Sequence, residues 1–242
     1  MKGLFHKLLL AVLLASLFVL SVSNALAAEA GKVFFSAYVE GSSYNKAVAI
    51  FNGYGVDLDL SNYQVLIYFN GNTSVGNTIT LNGTLGSGEV FVLAHSSAEA
   101  TLLSMADMTS GSLTFNGDDA VVLSQIQDQS GTTINQPMDI IGQIGFDPGS
   151  EWGTGDTSTA NNTLYRNATV SVGDMDGSDA FDPSVEWTGA PEDTFTGIDA
   201  FVPVGWTPNV VTFSGLSVTS PFTALAMALV ATTGLVILRK RK

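Results

Sequence analysis

The sequence predicts an all-β fold, an antiparallel β-sandwich, on three observations. Short runs rich in Val, Ile, Phe and Tyr recur from residue 33 onward, turn clusters separate them, and a single segment carries a helical apolar stripe. The expected strands are 33–39, 46–52, 63–70, 89–94, 120–124 and 139–144, because β-branched and aromatic side chains suit a pleated, half-buried surface. Between them fall Asn52-Gly53, Asn70-Gly71, Asn82-Gly83, Gly86-Ser87-Gly88 and Asn116-Gly117, residue types that take the left-handed backbone of tight hairpins. Seven or so short strands at this spacing fit a sandwich. Residues 97–108 place Ala98, Leu102, Met105 and Ala106 on one stripe and predict a short helix crossing one end of it.

Charge is segregated along the chain. All 22 carboxylates lie between Glu29 and Asp199, whereas six of the nine Lys and Arg residues sit at the two hydrophobic ends. Within residues 28–217 only Lys32, Lys46 and Arg166 oppose the 22 acids, a formal −19 against −13 for the whole chain. That surface repels nucleic-acid phosphate, so direct nucleic-acid binding is not expected. It suits solubility, high salt or divalent cations instead.

The ends read as targeting segments. Lys2 and Lys7, an apolar run over 8–22 and Ala25-Leu26-Ala27 form a secretory signal over 1–27, with an uncleaved anchor as the competing reading. Residues 218–238 carry no charge and reach about 31 Å as a helix, enough for a bilayer core. Arg239-Lys240-Arg241-Lys242 follows at once and is expected to stay cytoplasmic, which puts the acidic region outside the cell. The expected organisation is a signal peptide (1–27), a sandwich (28–145), a loop-rich extension (146–205), a linker (206–217), a transmembrane helix (218–238) and a basic tail (239–242). The chain is thus expected to be a single-pass protein of the cell envelope, held by its C-terminal helix, with removal of that helix by a sorting enzyme as the rival reading; no LPxTG-like or Pro-Glu-Pro motif precedes Pro221.

The extension contains an internal repeat. Phe146-Asp147-Pro148-Gly149-Ser150-Glu151-Trp152 returns as Phe181-Asp182-Pro183-Ser184-Val185-Glu186-Trp187. Asp-Pro sets a turn, and Phe and Trp are large rigid anchors. Two readings stand: each copy is a loop pinned to the sandwich by its aromatics, or Phe146, Trp152, Phe181 and Trp187 line one recognition surface. Between the copies Asp174, Asp176, Asp179 and Asp182 form the densest acidic loop. With no Cys and one His in the mature chain, zinc and copper sites are not expected, whereas carboxylates and loop carbonyls suit a hard cation such as Ca²⁺. Gly177 comes too early and Val185 stands where an EF-hand needs Glu, so the choice is between an irregular Ca²⁺ loop and a solvated acidic one.

Three ordered motifs bring a family into view: Glu40-Gly41-Ser42-Ser43-Tyr44-Asn45-Lys46-Ala47, Asp59-Leu60-Ser61-Asn62-Tyr63, and Phe115-Asn116-Gly117-Asp118-Asp119-Ala120. They resemble the bacterial branch of the lamin-tail domain family over roughly residues 33–197. The resemblance implies an immunoglobulin-like sandwich on secreted or surface proteins, often beside extracellular nuclease or phosphatase domains, with a role in binding or tethering. Two places depart from that pattern: Ala49-Ile50-Phe51 lacks an acidic residue before its apolar-aromatic pair, and Tyr165-Arg166-Asn167 holds one basic residue where members usually have two.

Catalysis is not expected. His95 is the single histidine of the mature chain and no Gly-x-Ser-x-Gly elbow accompanies it. The expected function is a non-catalytic, membrane-anchored binding or tethering module for a surface protein or polymer. The alternatives are an exported accessory that recruits an extracellular nuclease or phosphatase, and a Ca²⁺-stabilised structural or adhesion domain.

Overall fold

The structure is a computed structural model and describes residues 32–207. The expected signal peptide, transmembrane helix and basic tail lie outside the described residues, as does most of the linker. Among the described residues no helix is long and apolar enough to cross a membrane. The strands are β1 (Val33–Glu40), β2 (Lys46–Asn52), β3 (Leu58–Asp59), β4 (Tyr63–Tyr68), β5 (Asn77–Thr80), β6 (Thr84–Leu85) and β7 (Val90–His95). A one-turn helix α1 (Ala100–Leu103) leads to β8 (Met108–Ser110), β9 (Ala120–Gln129) and β10 (Thr132–Ile141). Then come β11 (Gly153–Thr154), β12 (Thr157–Ser158), β13 (Asn162–Arg166), a second one-turn helix α2 (Pro183–Glu186) and β14 (Trp187–Pro191).

Two sheets form the sandwich, in the orders β14-β13-β1-β2-β7-β8 and β10-β9-β4-β5. All pairings are antiparallel apart from β7 with β8. Phe35, Tyr38, Val48 and Ile50 of the first sheet meet Val65, Ile67, Val121, Leu123 and Ile141 of the second in one core. Fully burying a side chain of this size contributes about 1.5–3 kcal/mol.

β1 and β2 are buried at every position and do not alternate. A strand of this kind is covered on both faces. On the outer face the small residues Ala37, Ala47, Ala49 and Ala94 let Leu102 of α1, Phe195 and Ile198 approach closely. Further along, Phe201 packs edge-on against Phe34 and Phe51, and Trp206 packs against Phe51 while its indole N–H donates to the Gly53 carbonyl at 3.1 Å. Gly88, at φ +77°, lies beneath the Trp206 ring, where a Cβ has no room.

The elements differ from expectation in three places. The crossover helix spans four residues, not twelve, because Asp107 folds back to exchange hydrogen bonds with Val92 and starts β8. Ala98, Leu102, Met105 and Ala106 still face one cluster. The β9–β10 hairpin runs well past its apolar half, turning at Ser130-Gly131 with both residues at positive φ. Its outer half is built of Gln, Thr, Asn and Asp, which leave no apolar signal. Finally, the stretch expected as a loop-rich extension supplies β13 and β14, which complete the six-stranded sheet alongside β1.

One buried ion pair joins the layers. Asp139 of β10 and Arg166 of β13 contact through Oδ2 and Nη2, both fully enclosed. Asp139 Oδ2 also accepts the Phe35 amide (2.7 Å), Oδ1 accepts those of Ile140 (3.0 Å) and Asp174 (2.8 Å), and Arg166 Nε donates to the Phe35 carbonyl (2.9 Å). The Asp139→Ala variant leaves Arg166 buried without this partner and is expected to lose about 3–5 kcal/mol in urea unfolding, whereas Asp139→Leu with Arg166→Met is expected to lose less.

Candidate functional site

Polar residues from each of the three ordered motifs hold the fold. In the β1–β2 hairpin Lys46 Nζ meets Glu40 Oε1 at 2.6 Å and donates to the Gly41 carbonyl at 2.5 Å, while Glu40 Oε2 accepts the Asn161 amide. The same hairpin clasps Asp193: the amide and hydroxyl of Ser42 and the side chain of Asn45 all donate to its carboxylate at 2.6–2.9 Å. Asp59 accepts from the amide and hydroxyl of Ser61 and caps the 3-10 turn Leu60–Asn62. Asp119 accepts the amides of Asn70 and Asn116, both at 2.9 Å, and so ties two loops together. Asp118 is buried beside it, with Oδ1 unpaired among the described residues.

His95 is likewise placed by structure. Its ring is buried, stacks on Tyr44 at 4.6 Å, and accepts the Ser97 amide through Nδ1 at 2.9 Å.

Each copy of the repeat buries its Trp, but the two differ at their Phe. In each copy the Asp turns the chain, Asp147 accepting the Gly149 amide and Asp182 accepting from Ser184 at the start of α2. Each Trp is buried, and of the four aromatics Phe181 and Trp187 border a common cleft without Phe146 and Trp152. Phe181 of the second copy sits edge-on to Trp152 of the first at 6.0 Å, and Phe146 is 50% exposed apart from them. Gly142, at φ +89°, makes room for Trp152: a Cβ there would lie 2.8 Å from the ring.

Asp174, Asp176, Asp179 and Asp182 do not converge as a coordination set. Among the described residues no group of three or more His, Asp or Glu side chains is placed to hold a metal ion. Asp176 Oδ1 is taken by the amide and hydroxyl of Ser178, Asp182 Oδ1 by those of Ser184, and Asp174 Oδ1 by the Asp176 amide. Asp174, Asp176 and Asp182 each close a local turn instead of facing a shared centre.

Asp174, Asp179 and Asp182 do border one cleft, of about 340 Å³. Asp174, Asp179, Asp182 and Glu186 provide its acidic groups, and Ile140, Phe181 and Trp187 its apolar and aromatic ones. Val172 and Val185 stand exposed beside them, at 48% and 71%. Arg166 lies 4.0 Å over the Trp187 ring and pairs with Glu186 at 2.6 Å as well as with Asp139. Burial and then the charges of Asp179, Glu186 and Asp176 raise the Asp174 pKa above the ordinary carboxylate value. Sequence reasoning placed Glu186 beside Trp187 as an adjacent carboxylate but missed Arg166 and Asp139 behind the cleft; the signal available was the one Arg within the stretch that holds all 22 acids.

Comparison with known families takes up the segment that precedes this cleft. Residues 27–144 match the family model described as Lamin Tail Domain. No curated protein matches the chain. The lamin-tail segment holds β1 to β10, including Ile140 and Asp139, whereas the acidic side chains of the cleft all come from beyond it.

Two sets of carboxylates set the pH dependence in opposite senses. Burial first, then neighbouring acids, raise Asp119 and Asp174. Their stabilising contribution is complete below the ordinary carboxylate range and is lost as pH rises through the raised values. Serine hydroxyls lower Asp59, Asp176 and Asp182, whose contribution is present above that range and lost as pH falls through the lowered values. The melting temperature is therefore expected to climb as pH drops from neutral toward the carboxylate range and to fall at lower pH. Asp174→Asn is expected to flatten the climb in melts taken across the pH series.

Proposed function

We propose that the protein is a non-catalytic binding and tethering module displayed on the cell surface through its C-terminal apolar segment. The observation that carries this reading is the division of labour among polar residues. Those of the ordered motifs are spent on hairpins and caps, while an acidic, partly apolar cleft stays open. The signal-like start, the uncharged stretch 218–238 and the four cations after it support display outside a membrane. The match to the lamin tail domain family supports a binding fold, although fold alone assigns no activity.

Protease treatment of intact cells tests the topology. The acidic domain is expected to be digested while an epitope placed after Lys242 stays protected, and alkaline carbonate is expected to leave the protein in the membrane fraction. Release by carbonate, or protection of both ends, contradicts the reading. So does phosphodiesterase activity of the purified protein that is lost in His95→Ala.

A further inference from the structure

We infer that the cleft bordered by Asp174, Asp179 and Glu186 receives a Lys- or Arg-bearing segment of a partner protein. The inference rests on the binding-module reading above and supplies its ligand class.

Charge points first to a cationic ligand. Among the described residues no Lys or Arg lines the cleft, and Arg166, which contacts its lining residues Glu186 and Trp187, is already engaged by them and by Asp139. Asp174, Asp179 and Asp182 add negative charge that no ion pair offsets among the described residues. A ligand charge placed there is attracted by several carboxylates at once.

Shape and chemistry then favour a side chain over a bare metal ion. Ile140, Phe181, Val172 and Val185 offer apolar surface beside the acids, matching the aliphatic stem and charged head of Lys or Arg. The inner oxygens of Asp174, Asp176 and Asp182 are occupied by turn hydrogen bonds, and no three acids converge. Trp187, which borders the cleft, is 3% exposed and its indole N–H has no acceptor among the described residues. Such a donor is costly to leave unmade, and a peptide carbonyl satisfies it where a metal ion does not.

The partner is a different protein. Of the three cations in residues 28–217, Lys46 and Arg166 are buried and Lys32 is a single residue just before β1, so a second copy of this domain offers no run of basic side chains.

The test uses the full chain in detergent micelles and a fluorescein-labelled (Gly-Lys)₄ peptide, with (Gly-Glu)₄ and CaCl₂ as comparison ligands, read by anisotropy. Binding of (Gly-Lys)₄ is expected to weaken with NaCl and to drop about tenfold or more in Asp174→Asn/Asp179→Asn. That variant is expected to melt at or above the wild-type temperature. Asp156→Asn/Asp199→Asn removes the same charge from other exposed positions and is expected to leave binding within about twofold. Equal weakening in both variants overturns the site in favour of diffuse attraction. A Ca²⁺-induced rise in melting temperature that Asp174→Asn/Asp179→Asn abolishes, with no (Gly-Lys)₄ binding, overturns it in favour of a metal loop. Failure of surface display bears on the proposed function and leaves these binding results unchanged.

Discussion

The carboxylate of Asp139 is the constraint on which the rest of the structure depends. It sits in the core of a domain that buries few charges, at the point where β10 of one sheet meets β1 of the other. Removing a charge from water costs several kcal/mol, and only a full set of donors offsets it. Asp139 obtains that set from Phe35, Arg166, Asp174 and its own neighbour Ile140. Register irregularities occur beside it in both strands, between Phe35 and Ala37 in β1 and between Pro137 and Asp139 in β10. A buried pair of this kind adds little net stability over an apolar replacement, but it specifies how the layers align.

The pair also explains why the lamin-tail match and the physical domain end in different places. The match stops at residue 144, yet Arg166 and the strands β13 and β14 come later and sit against β1. Asp193 is gripped by the β1–β2 hairpin, and Phe195, Ile198, Phe201 and Trp206 cover the outer face of the sheet. On the other sheet, Gly177 lies against Ile140 and Ile144, so the acidic loop is fastened to the outer face of that layer. The cleft is a consequence of this wrapping: its base belongs to β10 and its acidic rim to the chain that folds back over it.

Apolar patterning made the first half of the fold legible. The run Lys46–Asn52 is β2 to the residue, and β1, β4 and β7 start or end within one or two positions of the apolar runs. β13 and β14 were not legible, because Asn162-Thr163-Leu164-Tyr165-Arg166 and Trp187-Thr188-Gly189-Ala190-Pro191 carry polar, glycine and proline residues that read as loop. Their strand character comes from pairing to β1, a tertiary effect. The unbroken apolar runs of β1 and β2 did hold a clue, since strands buried on both faces need a second cover. At the site, the repeat was visible as sequence. What no spacing rule conveyed was that its tryptophans turn inward and that each Asp closes a local turn.

The central claim is that residues beyond the lamin-tail match belong to the same cooperative unit as the sandwich. Native-state hydrogen exchange tests it most directly, by following the amides of Leu93 in β7 and Leu164 in β13 through a denaturant series. The account predicts that both exchange through one global opening, with the same free energy and the same denaturant dependence. Exchange of Leu164 through a smaller opening that leaves Leu93 protected would contradict it, and would make the C-terminal segment an appendage to an independently stable domain.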